Sequence, residues 1–189
     1  NFLGSSPNTG QVTVPPSITP PVIVGPTNLS TNPPFQVSTG DPSKPSLLVV
    51  SAGAGRSPLV RVFDYATSTE KYRFYAYETS YTGGVRATTG DVDGDGIPDI
   101  ITATGVGGGP RVRVFSGKDG SVIRDFFAYE DTFRGGVFVA VADIDGDGKA
   151  DIITGTEIGG GPRVTIRSGA TNQVIQDFFA FDPNQRGGV

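Results

Sequence analysis

Apolar and polar residues alternate along most of this chain in short runs separated by glycine-rich turns. Arg163-Val164-Thr165-Ile166-Arg167 alternates with period two, as a half-buried strand does. Val137-Phe138-Val139-Ala140-Val141, Asp151-Ile152-Ile153-Thr154 and Val174-Ile175-Gln176-Asp177-Phe178-Phe179 complete a set of four strands around it. Gly159-Gly160-Gly161-Pro162 and Gly169-Ala170-Thr171-Asn172 supply turns, and the equivalent turn earlier in the chain, Gly117-Lys118-Asp119-Gly120, is a good hairpin signal. No segment keeps a capped helical period. The pattern predicts an all-β chain built from antiparallel meanders.

The same pattern returns at a fixed interval. Gly83-Gly84-Val85 recurs at Gly135-Gly136-Val137 and at Gly187-Gly188-Val189, a step of 52 residues each time. Pro58, Pro110 and Pro162 keep that step, as do Val60, Val112 and Val164. So do Phe74-Tyr75-Ala76-Tyr77, Phe126-Phe127-Ala128-Tyr129 and Phe178-Phe179-Ala180-Phe181. Three gapless repeats follow: 33–84, 85–136 and 137–188. The last two share just over half of their residues. A four-stranded antiparallel unit of this length predicts a β-propeller-type blade. The small residues Ala87, Thr88, Thr89 and Gly90 place the first strand of a unit at a crowded central axis. Three units are too few to close a ring of the usual four to eight blades. The array is therefore expected to continue beyond the chain end or to be completed by neighbouring chains.

Residues 1–32 differ in kind. Ten of the 15 prolines fall within residues 1–45, and no charged residue precedes Asp41. This composition predicts an extended Pro/Ser/Thr-rich linker or, through Gln11-Val12-Thr13-Val14 and Val22-Ile23-Val24, a strand-donating arm that adds to a neighbour's sheet edge. Asn28-Leu29-Ser30 matches a glycosylation sequon. A start at Asn1 with no Met anywhere leads us to expect a processed or partial chain.

Composition narrows the chemistry. With no Cys, disulfides, zinc ribbons and thiol catalysis are excluded, and with no His the usual general base and most transition-metal sites go too. No apolar run is long enough to span a membrane as a helix. The formal net charge is −4, yet eight of the 19 acidic residues sit in two loops, and without them the chain carries 11 acids against 15 bases. Two divalent cations would cancel the total.

Those loops carry the clearest chemical signal: Asp91, Asp93, Asp95 and Asp99 in one, Asp143, Asp145, Asp147 and Asp151 in the other. Two like charges ~4 Å apart repel by about 4 kcal/mol at an effective dielectric near 20. A hard cation relieves that repulsion, and calcium takes six to eight oxygens in flexible geometry. Glycine at position 6 of each loop, Gly96 or Gly148, permits the sharp bend. The backbone carbonyl at position 7, Ile97 or Lys149, can then turn inward as a further ligand. Two Ca2+ sites are expected. An EF-hand is excluded because position 12 is Thr102 or Thr154 in place of a bidentate Glu, with a strand following. In the first repeat the corresponding residues are Thr39, Asp41, Ser43 and Leu47, so no site is expected there.

Over 33–189 the chain resembles the FG-GAP and VCBS-type repeats of extracellular propellers, including the integrin α head. The resemblance rests on the Gly-Asp-Val-Asp-Gly-Asp-Gly-x-x-Asp-Ile run from Gly90 and its second copy from Ala142. It implies that the aspartate loop joins the first two strands of a blade and binds calcium through the eight aspartates and two backbone carbonyls. It also implies a secreted or cell-surface protein serving adhesion, matrix contact or an accessory role beside an enzyme.

Other features have plainer explanations. The Gly105–Pro110 turn lacks the helix that a phosphate loop needs. Arg111, Arg163, Arg134 and Arg186 recur at the repeat step and are expected to pair with carboxylates or cover strand ends. The aromatic runs are expected to pack against the next blade. An acidic pI without a basic stripe argues against nucleic acid. The resulting expectation is a non-enzymatic extracellular calcium-binding propeller module for adhesion or surface architecture. The alternatives are a structural subunit of a filament or layer assembled through the N-terminal arm, and a glycan-binding propeller or enzyme accessory domain. Partners are then other protein chains or surface glycans, with a homo-oligomer or filament among the possibilities.

Overall fold

A computed structural model describes residues 47–189. The arm at 1–32 with its sequon, the first strand expected in the first repeat, and Thr39, Asp41 and Ser43 lie outside the described residues. The described part is all-β, with eleven strands and no helix. They are β1 (Leu47–Ser51), β2 (Leu59–Asp64), β3 (Glu70–Tyr75), β4 (Val85–Gly90), β5 (Asp99–Thr104), β6 (Arg111–Phe115), β7 (Val122–Phe127), β8 (Val137–Ala142), β9 (Asp151–Thr156), β10 (Arg163–Arg167) and β11 (Val174–Phe179).

They form three antiparallel meanders in chain order: β1-β2-β3, β4-β5-β6-β7 and β8-β9-β10-β11. The register repeats with the sequence. Gly90 pairs with Asp99 and Ala142 with Asp151, so each aspartate loop is the hairpin joining the first two strands of a four-stranded sheet. A bulge falls at the same place between the last two strands of each sheet, at Val62/Phe63, Val114/Phe115 and Ile166/Arg167.

In the middle sheet, alternation divides a strand between two neighbouring sheets. In β5, buried at every position, Ile100 packs with Val60, Val62 and Leu47 of the first sheet, whereas Ile101 packs with Val137, Val139 and Ile152 of the third. A central strand covered on both faces reads as a continuous apolar run. The first strand β4 lies against β8. A Cβ on Gly90 would come within 2.8 Å of Val141 and 2.9 Å of Ala150, which explains the small residue there.

Aromatic and charged residues fasten the junctions. Phe74 packs on Phe115 of the second sheet with centroids 4.4 Å apart, and Arg167 lies 5.0 Å over Phe126 at the next junction. Tyr77 donates its hydroxyl to the Arg111 carbonyl at 3.0 Å, and Tyr129 does so to Arg163 at 3.1 Å. Arg111 pairs with Asp125 of its own sheet at 2.6 Å and with Glu78 across the junction at 3.2 Å. Arg163 repeats this with Asp177 at 2.6 Å and Glu130 at 2.8 Å. Arg134 and Arg186 donate to carbonyls of their own turns, at Asp131 and Phe133 and at Pro183 and Gln185. The aromatic runs are split. Phe74, Ala76 and Tyr77 enter the core as expected, but Tyr75, Phe127 and Phe179 stand about half exposed on the opposite side of the same strands.

Candidate metal centre

Each aspartate loop is wound around its own carboxylates. Asp91 opens the second-sheet loop, and its Oδ1 and Oδ2 accept from the amides of Gly94 (2.7 Å) and Gly96 (2.9 Å). Asp93 Oδ1 accepts from Asp95 N at 3.0 Å, and Asp95 Oδ1 from Ile97 N at 2.8 Å. The winding needs left-handed backbone at two places, Gly94 (φ 83°) and Gly96 (φ 85°), matched by Gly146 (78°) and Gly148 (84°). A side chain at φ near +80° is strained, which accounts for glycine at positions 4 and 6 alike.

The third-sheet loop has the same bonds. Asp143 accepts from Gly146 (2.8 Å) and Gly148 (3.0 Å), Asp145 from Asp147 N (3.2 Å), and Asp147 from Lys149 N (2.9 Å).

The last aspartate of each loop is held differently. Asp99 and Asp151 open the second strand of their sheets and are 1% and 0% exposed. Asp99 accepts from Val92 N at 3.0 Å and, across the sheet, from Gly117 N at 3.1 Å. Asp151 accepts from Ile144 N at 2.8 Å, Asp145 N at 3.3 Å and Gly169 N at 2.9 Å. Burial pushes the Asp99 carboxyl up to about 6. The two amides oppose that rise, and the charges of Asp93 and Asp91 add to it.

Three carboxylates converge in each loop. Asp91, Asp93 and Asp99 each place an oxygen within 4.8 Å of the others, and so do Asp143, Asp145 and Asp151. Asp95 and Asp147, expected as ligands from spacing alone, fall outside these groups and are engaged by the Ile97 and Lys149 amides. An all-oxygen donor set without nitrogen or sulfur suits a hard cation, and flexible carboxylates suit calcium.

Two features of the site were not evident from the aspartates. Gly117 and Gly169 approach so closely that an added Cβ would lie 1.9 Å from the Pro98 carbonyl oxygen and 2.1 Å from that of Ala150. The first repeat holds the clue, because Leu47 stands where Asp99 does and Tyr65 where Gly117 does. Buried acid and close-packed glycine are lost together. The second feature is a direct link between neighbouring loops, in which Ala150 N donates to the Asp91 carbonyl at 2.7 Å.

No curated protein matches the chain. Residues 91–154, from the first aspartate of one loop through the whole of the other and into β9, match the family described as FG-GAP-like repeat.

Proposed function

We propose that this chain is a calcium-stabilised, non-enzymatic β-propeller-type module that works outside the cell, in adhesion or in surface and matrix architecture. The observation that carries this reading is the duplication of a three-carboxylate group, each with one buried aspartate, inside the stretch that matches an FG-GAP-like repeat. Asp91, Asp93, Asp99 and, after a turn of its side chain, Asp95 would hold one ion together with the Ile97 carbonyl. Asp143, Asp145, Asp151, Asp147 and the Lys149 carbonyl would hold the other. Calcium supplies the positive charge that these crowded carboxylates lack. The chain's own part is to fix the loop through Gly94 and Gly96 and to anchor its buried end to the Gly117 hairpin.

Calorimetric titration with Ca2+ tests the reading, with two sites per chain expected. A ligand that binds only the folded state adds about 2.7 kcal/mol at 100 times its dissociation constant. EDTA should therefore lower the melting temperature and calcium restore it. Asp145→Ala should remove one of the two sites. A melt indifferent to chelator, with no heat of binding, would overturn the proposal.

A second reading draws on the row of exposed rings. Tyr75, Phe127 and Phe179 occupy one position of the repeat, and Phe127 borders a cavity of about 240 Å³ with Tyr81, Arg111 and Arg134. Such a row suits stacking against sugar rings. Binding on a glycan array that is lost in Phe127→Ala would favour it, and a blank array would remove it.

A further inference from the structure

The glycine that anchors each buried aspartate is itself gripped from the preceding sheet. Gly117 donates its amide to Asp99, and its carbonyl accepts from the Tyr72 hydroxyl of β3 at 3.0 Å. Gly169 donates its amide to Asp151, and its carbonyl accepts from Nη2 of Arg124 on β7, which also reaches the Ala170 carbonyl at 3.2 Å. Tyr72 and Arg124 stand 52 residues apart, at one position of the repeat. Two unlike side chains thus make the same bond to the equivalent carbonyl. Gln176, a third hydrogen-bond donor, holds this position in the third repeat.

Filling the junction does not by itself call for such a group. Arg124 is half-buried, and its Nε has no hydrogen-bond partner. Burial opposes its charge, which the carboxylates of Asp99 and Asp93 favour. An apolar side chain of similar volume would fill the space without that desolvation. What the guanidinium adds is a fixed place for Gly169. That place matters to the loop, because Gly169 is buried and hard against it, where an added Cβ would lie 2.1 Å from the Ala150 carbonyl oxygen and 3.4 Å from that of Val92. The Gly169 amide in turn holds the one carboxylate, Asp151, that meets Asp143 and Asp145 from the strand side. Hydrogen bonds that orient a metal ligand from outside are typically worth about 10–100-fold in affinity.

Building on the calcium reading above, we propose that Arg124 is a positioning residue for the ion site of the third-sheet loop, acting through Gly169, and that Tyr72 does the same for the second-sheet loop through Gly117. Each site is then completed by the sheet before it. A sheet parted from its predecessor keeps every loop carboxylate and loses the grip on its hairpin.

Calorimetric titration with Ca2+ reads each affinity separately in backgrounds that leave one site, Asp93→Ala for the third sheet and Asp145→Ala for the second. Arg124→Met should weaken the third-sheet site about 10–100-fold and leave the second-sheet site no weaker. Tyr72→Phe keeps the ring, removes only the hydroxyl, and should weaken the second-sheet site alone. Sheet content by circular dichroism checks that both variants fold, and if Arg124→Met does not, Tyr72→Phe decides the matter at its own site. Unchanged affinities, or equal losses at both sites from either variant, would overturn the proposal while the calcium reading stands. A native chain that takes up no calcium would overturn that reading, and this proposal with it.

Discussion

The carboxylate of Asp151 accepts a hydrogen bond from the amide of Gly169, 2.9 Å away, and so ties the aspartate loop to the hairpin at the far side of the same sheet. Asp99 and Gly117 repeat the arrangement at 3.1 Å. The glycine brings the amide within reach only because it lacks a Cβ, since the Ala150 carbonyl already occupies that space. Gly169→Ala should therefore force the hairpin outward, at a cost of about 1–3 kcal/mol typical of overpacking. Urea unfolding measures this loss, and calcium affinity at the third-sheet loop should fall with it. A variant as stable as the native chain would show that the hairpin yields freely.

Calcium binding should depend on pH through Asp99. In the metal-free fold burial raises its pKa to about 6, above the ordinary carboxylate value near 3.9. The folded state then holds a proton that the unfolded chain has released. Its contribution to stability is present below about 3.9 and is lost as pH rises through about 6. A cation needs the ionised carboxylate and displaces that proton. Affinity should accordingly weaken as pH falls below about 6, with proton release on binding measurable in buffers of different ionisation enthalpy. Constant affinity from pH 5 to 7 would contradict this.

The arginine–aspartate pairs within the second and third sheets respond with the opposite sign. Hydrogen bonds from Arg111 and Arg163 hold Asp125 and Asp177 below the usual carboxylate range. Their stabilisation is complete above the ordinary value near 3.9 and disappears as pH falls through the depressed folded values. These groups are about a third exposed, so solvent screens much of the effect. Asp177→Asn should cost about 0.5–1 kcal/mol at neutral pH and low salt, and nearly nothing at pH 2 or in 1 M salt. Thermal melts at both conditions check the difference.

Equivalent residues should differ in weight according to what covers them. Ile101 is sealed between the second and third sheets, and Ile101→Ala should cost about 2–5 kcal/mol. Ile153, its counterpart in the third sheet, is only half-buried in a single chain. Ile153→Ala should cost clearly less in dilute solution. Equal losses would mean that the third face is as well packed as the second.

Much of this was legible in the sequence because the repeat is gapless and its strands alternate. Val164 and Ile166 announce β10, and the 52-residue step carries the assignment to β2 and β6. The aspartates announce themselves by type and spacing. Spacing does not say where a side chain turns, however, and Asp95 and Asp147 turn to local amides and stand outside the convergent groups. The Gly117 and Gly169 contacts were hidden because they join hairpins 18 residues apart at one end of a sheet, a relation that no local pattern encodes. Period-two alternation likewise places Tyr75 and Phe127 opposite Phe74 and Phe126, but it does not say which side meets another sheet.

The bond from Ala150 to the Asp91 carbonyl has a mechanical corollary. Its counterpart one repeat earlier is Pro98, which has no amide hydrogen to give, so the rung runs from the third repeat to the second and stops there. Tension applied to the chain ends would reach the two loops as a yoked pair. Under a pulling force they should rupture in a single step, with the first repeat yielding separately.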